Sequence, residues 1–298
     1  MPLISILIPY YNHNHLVGKT LDSILEDHYE NKEIIIINDG STDLDDSTIT
    51  SWIEENNTNI DIQYIKRENK GLAKTLNELI VLAKGEYIAL IASDDYFINN
   101  TFTNRVQLLK KNPHKLMLVS DATVIDDDGE HLYDSALFGL RNKNNFYRKK
   151  SYFSDAGLKK EIIKHWVIVG PTGFIDKKLF DIVGNYDEKL IVEDWDFYLR
   201  VVAKDLLLYD DEKVAAYRWH KNNTCNDPDK IELLNNDSIK TAKKNLNSFN
   251  FIYKYYLWKV YIKHLKKSSE WKKPSFTDNF KILLLLLLPS FLRKIFKI

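Results

Sequence analysis

Two adjacent carboxylates, Asp94 and Asp95, end the apolar run in the stretch YIALIASDDYF, residues 87–97. Side by side they repel each other unless a cation, a proton or hydrogen-bond donors relieve them. Carboxylates that hold Mg2+ or Mn2+ can neutralise a diphosphate, so expulsion of a phosphorylated leaving group is one chemistry this pair suits. A solvated turn, or a cap on the segment that follows, is the other reading of the same two residues. A second carboxylate at the end of an apolar run, Asp39 in EIIIINDGSTD, precedes Gly40, which would let the backbone approach a nucleotide closely and is equally ordinary in a turn. Glu193 and Asp194 in IVEDWDFYLR supply carboxylates from a distant part of the chain. A carboxylate within reach of an attacking hydroxyl can take its proton, and acids here, Asp196 included, also suit the first turn of a helix. Tyr11 could stack on a base or simply pack, and His220 in YRWH could be a ligand or a structural residue.

These residues need a frame that brings them together. Apolar runs of strand length alternate with segments of helical period: ISILIP, HLVGKTLDSILE, EIIIIND, STITSWIEEN, IQYIK, GLAKTLNELIVLAKG closed by Gly85, and YIALIA. Such alternation predicts a parallel sheet with helices on its faces, whose ligands bind beyond the carboxyl ends of the strands. Asp39 and the Asp94-Asp95 pair both fall at such ends. A helix near 99–111 and a strand in MLVSDATVID come next, and the polar stretch 126–155 reads as a long mobile loop. A helix near 156–165, a helix opening at Glu193-Asp194 and a closing strand in VAAYRWH complete the pattern, with helical segments of different composition from about 228.

A chain of 298 residues, 44% hydrophobic, can bury a substantial core, which excludes disorder of the whole. Its single cysteine, Cys225, allows no internal disulfide and points to a reducing compartment. MPLISILIPYYN looks like a first strand and not a signal peptide, so the cytoplasm is the expected location. The net charge of zero conceals an asymmetry, because residues 253–298 carry eleven Lys/Arg against Glu270 and Asp278.

In order and spacing, SILIPYYN, EIIIINDGSTD, NKGLAKTLN, GEYIALIASDDYF, GPTGFIDKKLFDIVGNYDEKL and EDWDFYLRV resemble the inverting family-2 glycosyltransferases, over roughly residues 3–220. The resemblance implies an α/β fold of GT-A type: a Rossmann-like, mostly parallel central sheet with helices on both faces, here followed by a C-terminal helical extension. It implies a catalytic domain over 1–225, with nucleotide-sugar binding in about 1–125 and acceptor binding in about 126–225, and an extension over 226–298. Pro9, Tyr11 and Asp39 would hold the nucleoside, Asp94 the ribose side of the donor, and Asp95 a divalent metal, Mn2+ or Mg2+, bridging the diphosphate. His220 would lie near the diphosphate or metal, and Thr172-Gly173 along the sugar. Asp194 would be the general base, with Glu193 shaping its surroundings. Family members often carry Arg just before the Asn of the third helix, where this chain has Leu76 before Asn77. Lys74 or Arg67 would replace its phosphate contact, or the diphosphate is held differently. The implied reaction moves a hexosyl or deoxyhexosyl group from a nucleotide sugar to a hydroxyl by single displacement, with inversion.

The tail combines FIYKYYLWKVYIKHLKK with FKILLLLLLPSFLRKIFKI, and its uninterrupted run from Ile282 to Leu288 is too short to span a bilayer, which takes about 20 residues. Apolar and basic residues together suit a helix lying on anionic lipid, the favoured reading because apolarity and positive charge coincide; the alternative is a helix packed on the domain with a solvated basic face. Lipid is the better partner than nucleic acid because of the leucine run. A lipid-linked glycan acceptor at the inner face of the plasma membrane fits such a tail and the surface-polysaccharide role the resemblance implies. A nucleotide-sugar-binding scaffold without turnover is the alternative, against which the intact Asp39, Asp95 and Asp194 argue.

Overall fold

The computed structural model describes residues 1–43, 46–56, 60–140, 146–220, 223 and 227–268. The chain begins with β1 (Ile4–Tyr10), α1 (Val17–Glu26), β2 (Lys32–Asp39), α2 (Ser47–Asn56), β3 (Asp61–Arg67), α3 (Leu72–Leu82) and β4 (Tyr87–Leu90). Next come β5 (Tyr96–Phe97), α4 (Phe102–Lys111), β6 (Met117–Ile125), β7 (His131–Tyr133), α5 (Ala136–Gly139), α6 (Phe146–Tyr152) and α7 (Asp155–Lys164). A 3-10 turn over Gly170–Thr172 leads into β8 (Gly173–Asp176), followed by α8 (Leu179–Val183), α9 (Glu193–Ala203), β9 (Leu207–Arg218), α10 (Ile231–Asn245) and α11 (Phe251–Leu265).

The strands form one sheet in the order β3-β2-β1-β4-β8-β6-β9-β5, with β7 on β6. Strands β1, β2, β3, β4, β6 and β9 run one way and β5, β7 and β8 the other, so the sheet is mostly parallel. The run of four isoleucines in β2 shows why both faces must be covered. With side chains alternating along a strand, Ile34 and Ile36 join Ile6, Ile8 and the apolar faces of α1, α2 and α4, whereas Ile35 and Ile37 join Leu7 and those of α3, α7 and α9. Each such isoleucine, buried to within a percent, contributes about 2 kcal/mol by leaving water.

The structure departs from the sequence reading at two places. Helix α3 stops at Leu82, and Gly85 serves a different purpose: a Cβ there would sit 2.6 Å from Ser5 Oγ, so only glycine lets the chain pass this close to β1. The polar stretch 126–155 is also not one long loop, since it contains β7, α5 and α6. Asp121 explains part of that order by accepting hydrogen bonds from Ser135 Oγ at 2.6 Å and Leu137 N at 3.3 Å, which draws Ala136 and Leu137 into the core.

Helices α10 and α11 place Ala242 and Leu257, with Phe249 between them, in the same core as α7 and α9. Their polar contacts fix the start of α9: Asp237 accepts from Ile191 N at 2.9 Å, while Asn245 and Lys244 donate to the two oxygens of fully buried Asp196 at 2.8 and 3.1 Å. None of the described helices is long and apolar enough to cross a membrane. Cys225 and the run from Ile282 to Leu288 lie outside the described residues.

Candidate active site

At the carboxyl end of β4 the chain turns through Ile91–Asp95 before pairing again as β5, and α1 holds this turn by Thr20 Oγ1, which donates to the carbonyls of Ser93 at 3.1 Å and Asp95 at 2.7 Å. Side-chain direction then separates the two aspartates. Asp94 has one oxygen 3.0 Å from His220 Nε2 and the other 3.8 Å from His13 Nδ1. The possible ligand atoms of His13, Asp94 and His220 all lie within 4.8 Å of one another, and His13 Nδ1 is also 3.0 Å from Ser93 Oγ. Burial alone would raise the Asp94 carboxyl, but the His220 hydrogen bond and, in the acid range where Asp94 itself titrates, the charge on His13 outweigh it and hold the group below its usual range. Burial lowers the His13 imidazole below its ordinary value despite the opposing Asp94 charge, which leaves a ring-nitrogen lone pair available near neutrality.

Asp95, expected as the metal ligand, is outside this group. It is 2% exposed and accepts the backbone N–H of Arg218 at 2.8 Å. Burial first, and the adjacent Asp94 charge second, push its carboxyl well above the usual carboxylate range. The Arg218 guanidinium closes the turn by donating to the carbonyls of Asp94 at 3.0 Å, Asp126 at 2.7 Å and Asp127 at 2.8 Å. Asp94, expected beside ribose, is the carboxylate that meets the two histidines.

Asp39 lies at the carboxyl end of β2, opposite Arg67 in the β2–β3 register. Arg67 Nη1 pairs with one of its oxygens, and the N–H groups of Lys70 and Gly71 donate to the carboxylate at 2.7 and 3.0 Å. Arg67 also reaches Glu78 at 2.7 Å and Thr75 at 2.8 Å, so it braces the β3–α3 connection. Beside this pair, Asn12 N donates to Ser41 Oγ at 3.0 Å and Thr42 N to Asn12 Oδ1 at 2.7 Å, joining the loops after β1 and β2. Pro9 is half-buried at the end of β1, Tyr11 is 47% exposed beyond it, and Lys74 is exposed on α3.

The first turn of α9 presents the second pair of acids. Glu193 is 6% exposed, and burial together with the Asp194 charge holds its carboxyl protonated well above the usual range. Asp194 is half-buried, with one oxygen accepting Trp195 N at 2.6 Å and the other accepting Trp166 Nε1 at 3.2 Å. Thr172 and Gly173 are buried where the 3-10 turn enters β8; Thr172 Oγ1 donates to Val169 O at 2.8 Å and Thr172 O accepts from Arg105 at 2.7 Å.

A family model, described as glycosyl transferase family 2, matches residues 5–180, more than half of the chain. The chain belongs to glycosyl transferase family 2. The match takes in His13, Asp39, Asp94 and Asp95 and ends before Glu193-Asp194. An uncharacterized glycosyltransferase of Rickettsia typhi is 29% identical over 226 residues, which are 76% of this chain and 66% of that protein. The matched region is thus just under two thirds of the length of that relative. One from Methanocaldococcus jannaschii, also uncharacterized, is 26% identical over 266 residues, 87% of this chain and 85% of its own. Among solved structures, S. aureus TarS 1-349 in complex with UDP-GlcNAc superposes with a TM-score of 0.64 at 17% identity, covering 89% of this chain and 73% of that one. The mannosyltransferase PcManGT of Pyrobaculum calidifontis, in complex with GDP-Man and Mn2+, superposes with a TM-score of 0.61 at 14% identity over 98% of this chain and 82% of its own. This family-2 chain therefore has the GT-A fold, with its C-terminal helices added.

Three residues of this candidate site carried no assignment from the sequence. His13 lies in the turn NHNH after β1 and carried no signal beyond its place at a strand end. Arg218 is two residues before His220, and its charge inside a strand was the available sign that something nearby needed several donors. Trp166 sits just past α7, and none of the motifs quoted above contains it.

Proposed function

We propose that the protein is a metal-dependent inverting glycosyltransferase that moves a sugar from a nucleotide-sugar donor to a hydroxyl of a growing, lipid-linked cell-surface glycan. The observation that carries this reading is the convergence of His13, Asp94 and His220, with ligand atoms within 4.8 Å, at the turn that follows β4. One carboxylate and two imidazoles form a donor set that suits a divalent cation, and the nitrogens favour Mn2+ over Mg2+, which keeps to oxygen. When bound, such a cation neutralises charge on a departing diphosphate.

The chain's own groups do the rest. Pro9, Tyr11 and Asp39 line the nucleoside end, Asp39 acting with Arg67 as a braced pair, and Lys74 lies on the phosphate side. The Gly170–Thr172 turn and Gly173 back the sugar from beneath, since both residues of the Thr172-Gly173 pair are buried. Asp194 accepts the proton of the attacking hydroxyl, and Glu193 beside it, raised by burial and by the Asp194 charge, resists adding a second negative charge to the site. The attack is one in-line displacement with inversion. Residues 1–125 bind the donor, 126–225 the acceptor, and 226–298 the inner face of the plasma membrane, where exposed Ile252 and Tyr255 share α11 with exposed Lys259 and Lys263.

The test is donor binding and release of nucleoside diphosphate across a panel of nucleotide sugars, with Mn2+, Mg2+ or chelator, for the parent, Asp94→Asn and His220→Ala. One donor that binds and turns over with Mn2+, both effects being lost in the two variants, supports the reading. Binding that ignores metal and both substitutions overturns it. Tight metal-dependent binding with no release of nucleoside diphosphate would favour a scaffold.

A further inference from the structure

We propose that Trp166 is a positioning residue for Asp194: its indole N–H fixes the orientation of the carboxylate that takes the acceptor proton. This inference rests on the reading of Asp194 as the base. Two tryptophans join the end of α7 to the start of α9. The indole N–H of Trp195 goes to a backbone carbonyl, that of Ile162, at 3.1 Å, as packing alone requires. The indole N–H of Trp166 goes instead to Asp194 Oδ2 at 3.2 Å. The Trp166 ring is itself fixed, with its centroid 4.5 Å from that of Tyr198 at 57°, and Tyr198 lies one turn beyond Asp194 on the same face of α9. Trp166 thus spans one turn of α9, with its ring on Tyr198 and its N–H on Asp194.

The opposite oxygen of Asp194 accepts Trp195 N at 2.6 Å, so the carboxylate is gripped from both ends. A base gains rate by holding its lone pair in line with the hydroxyl, and rotation of the carboxylate forfeits that alignment. Among the described residues, the titratable neighbours whose shifts include the Asp194 charge are Glu193, Tyr186 and Tyr198. Burial raises all three above their ordinary values, and the Asp194 charge adds to the shift of each.

The direct test labels the six tryptophans of the full chain with 15N and follows their indole N–H resonances with pH. Trp166→Phe, which keeps a ring against Tyr198, identifies the Trp166 resonance by its loss. That resonance is expected to move with pH in the parent and to lose most of that movement in Asp194→Asn, while the Trp195 resonance moves little in either. A Trp166 resonance that ignores pH in the parent, or whose titration is unchanged in Asp194→Asn, overturns the proposal. Turnover gives the second readout: with water as acceptor, Trp166→Phe is expected to slow nucleoside diphosphate release about tenfold and leave donor affinity unchanged. The acid limb of its rate profile should also move to higher pH, because a carboxylate that loses a donor is protonated more readily. If Asp194→Asn keeps its turnover, the base assignment fails. If Asp194→Asn stops turnover while Trp166→Phe changes neither rate nor profile, the positioning role alone is overturned.

Discussion

Arg218→Met offers a sharp test of how the acidic turn is built. The guanidinium donates to three carbonyls, those of Asp94, Asp126 and Asp127, and is itself 4% exposed. Methionine keeps much of the side-chain length and removes every donor. The carbonyls of Asp126 and Asp127 belong to a surface turn where water can replace the lost partner, but Asp94 is 8% exposed and its carbonyl would be left without its guanidinium donor. One buried orphan plus two exchanged bonds costs about 3 kcal/mol. Unfolding entropy of about 2.1 cal/mol/K per residue over 298 residues is roughly 0.6 kcal/mol/K, so the melting midpoint should fall by about 5 °C. Since the lost bond anchors the backbone of Asp94 itself, Mn2+ affinity should fall as well, by about tenfold. Scanning calorimetry gives the first quantity and isothermal titration with Mn2+ the second. A midpoint within about 1 °C of the parent, with unchanged Mn2+ affinity, would refute the claim that Arg218 organises this turn.

Gly40→Ala should destabilise the protein by at least about 1 kcal/mol and weaken donor binding, because Gly40 has φ of +77° and a Cβ there would lie 2.6 Å from Asn69 N; chemical denaturation checks the first and calorimetric titration the second. Asn245→Ala removes the donor to Asp196 Oδ1 inside the core and should lower stability by about 1–3 kcal/mol, read by urea unfolding, with no effect expected if α10 merely rests against α9. The third concerns pH. The folded form keeps Glu193 protonated above the usual range, whereas the unfolded chain releases that proton above about pH 4.3. Its contribution is therefore fully present below that pH and is lost as pH rises towards the folded value. Glu193→Gln removes the loss, so its midpoint relative to the parent should rise more at about pH 8 than at about pH 5 in thermal scans.

Much of the frame was legible because period carries it. The β1–α1–β2–α2–β3–α3–β4 alternation could be read from apolar spacing, and STITSWIEEN coincides with α2 residue for residue. Helix α9 was legible too, since acids in its first turn and apolar residues at helical spacing agree. The stretch 126–155 was not, because β7, α5 and α6 are short and owe their order to side chains such as Asp121, which lie on a strand already laid down. Local composition has no access to such a partner.

The same division runs through the site. Local pattern alone was enough to show that carboxylates end β2, follow β4 within one turn and open α9, because strand ends and helix starts follow from it. The sequence also determined the family, through the order of its motifs. Only the tertiary structure decided which of Asp94 and Asp95 faces the histidines, since neighbouring residues of one type are equivalent until something distant distinguishes them. That distinction comes from β9, which brings His220 to Asp94 across 126 residues of chain and offers Asp95 the N–H of Arg218. Trp166 reached Asp194 by the same means, through the packing of α7 on α9. Side-chain direction at the end of a strand depends on what folds back over it, and that is a property of the closed sheet.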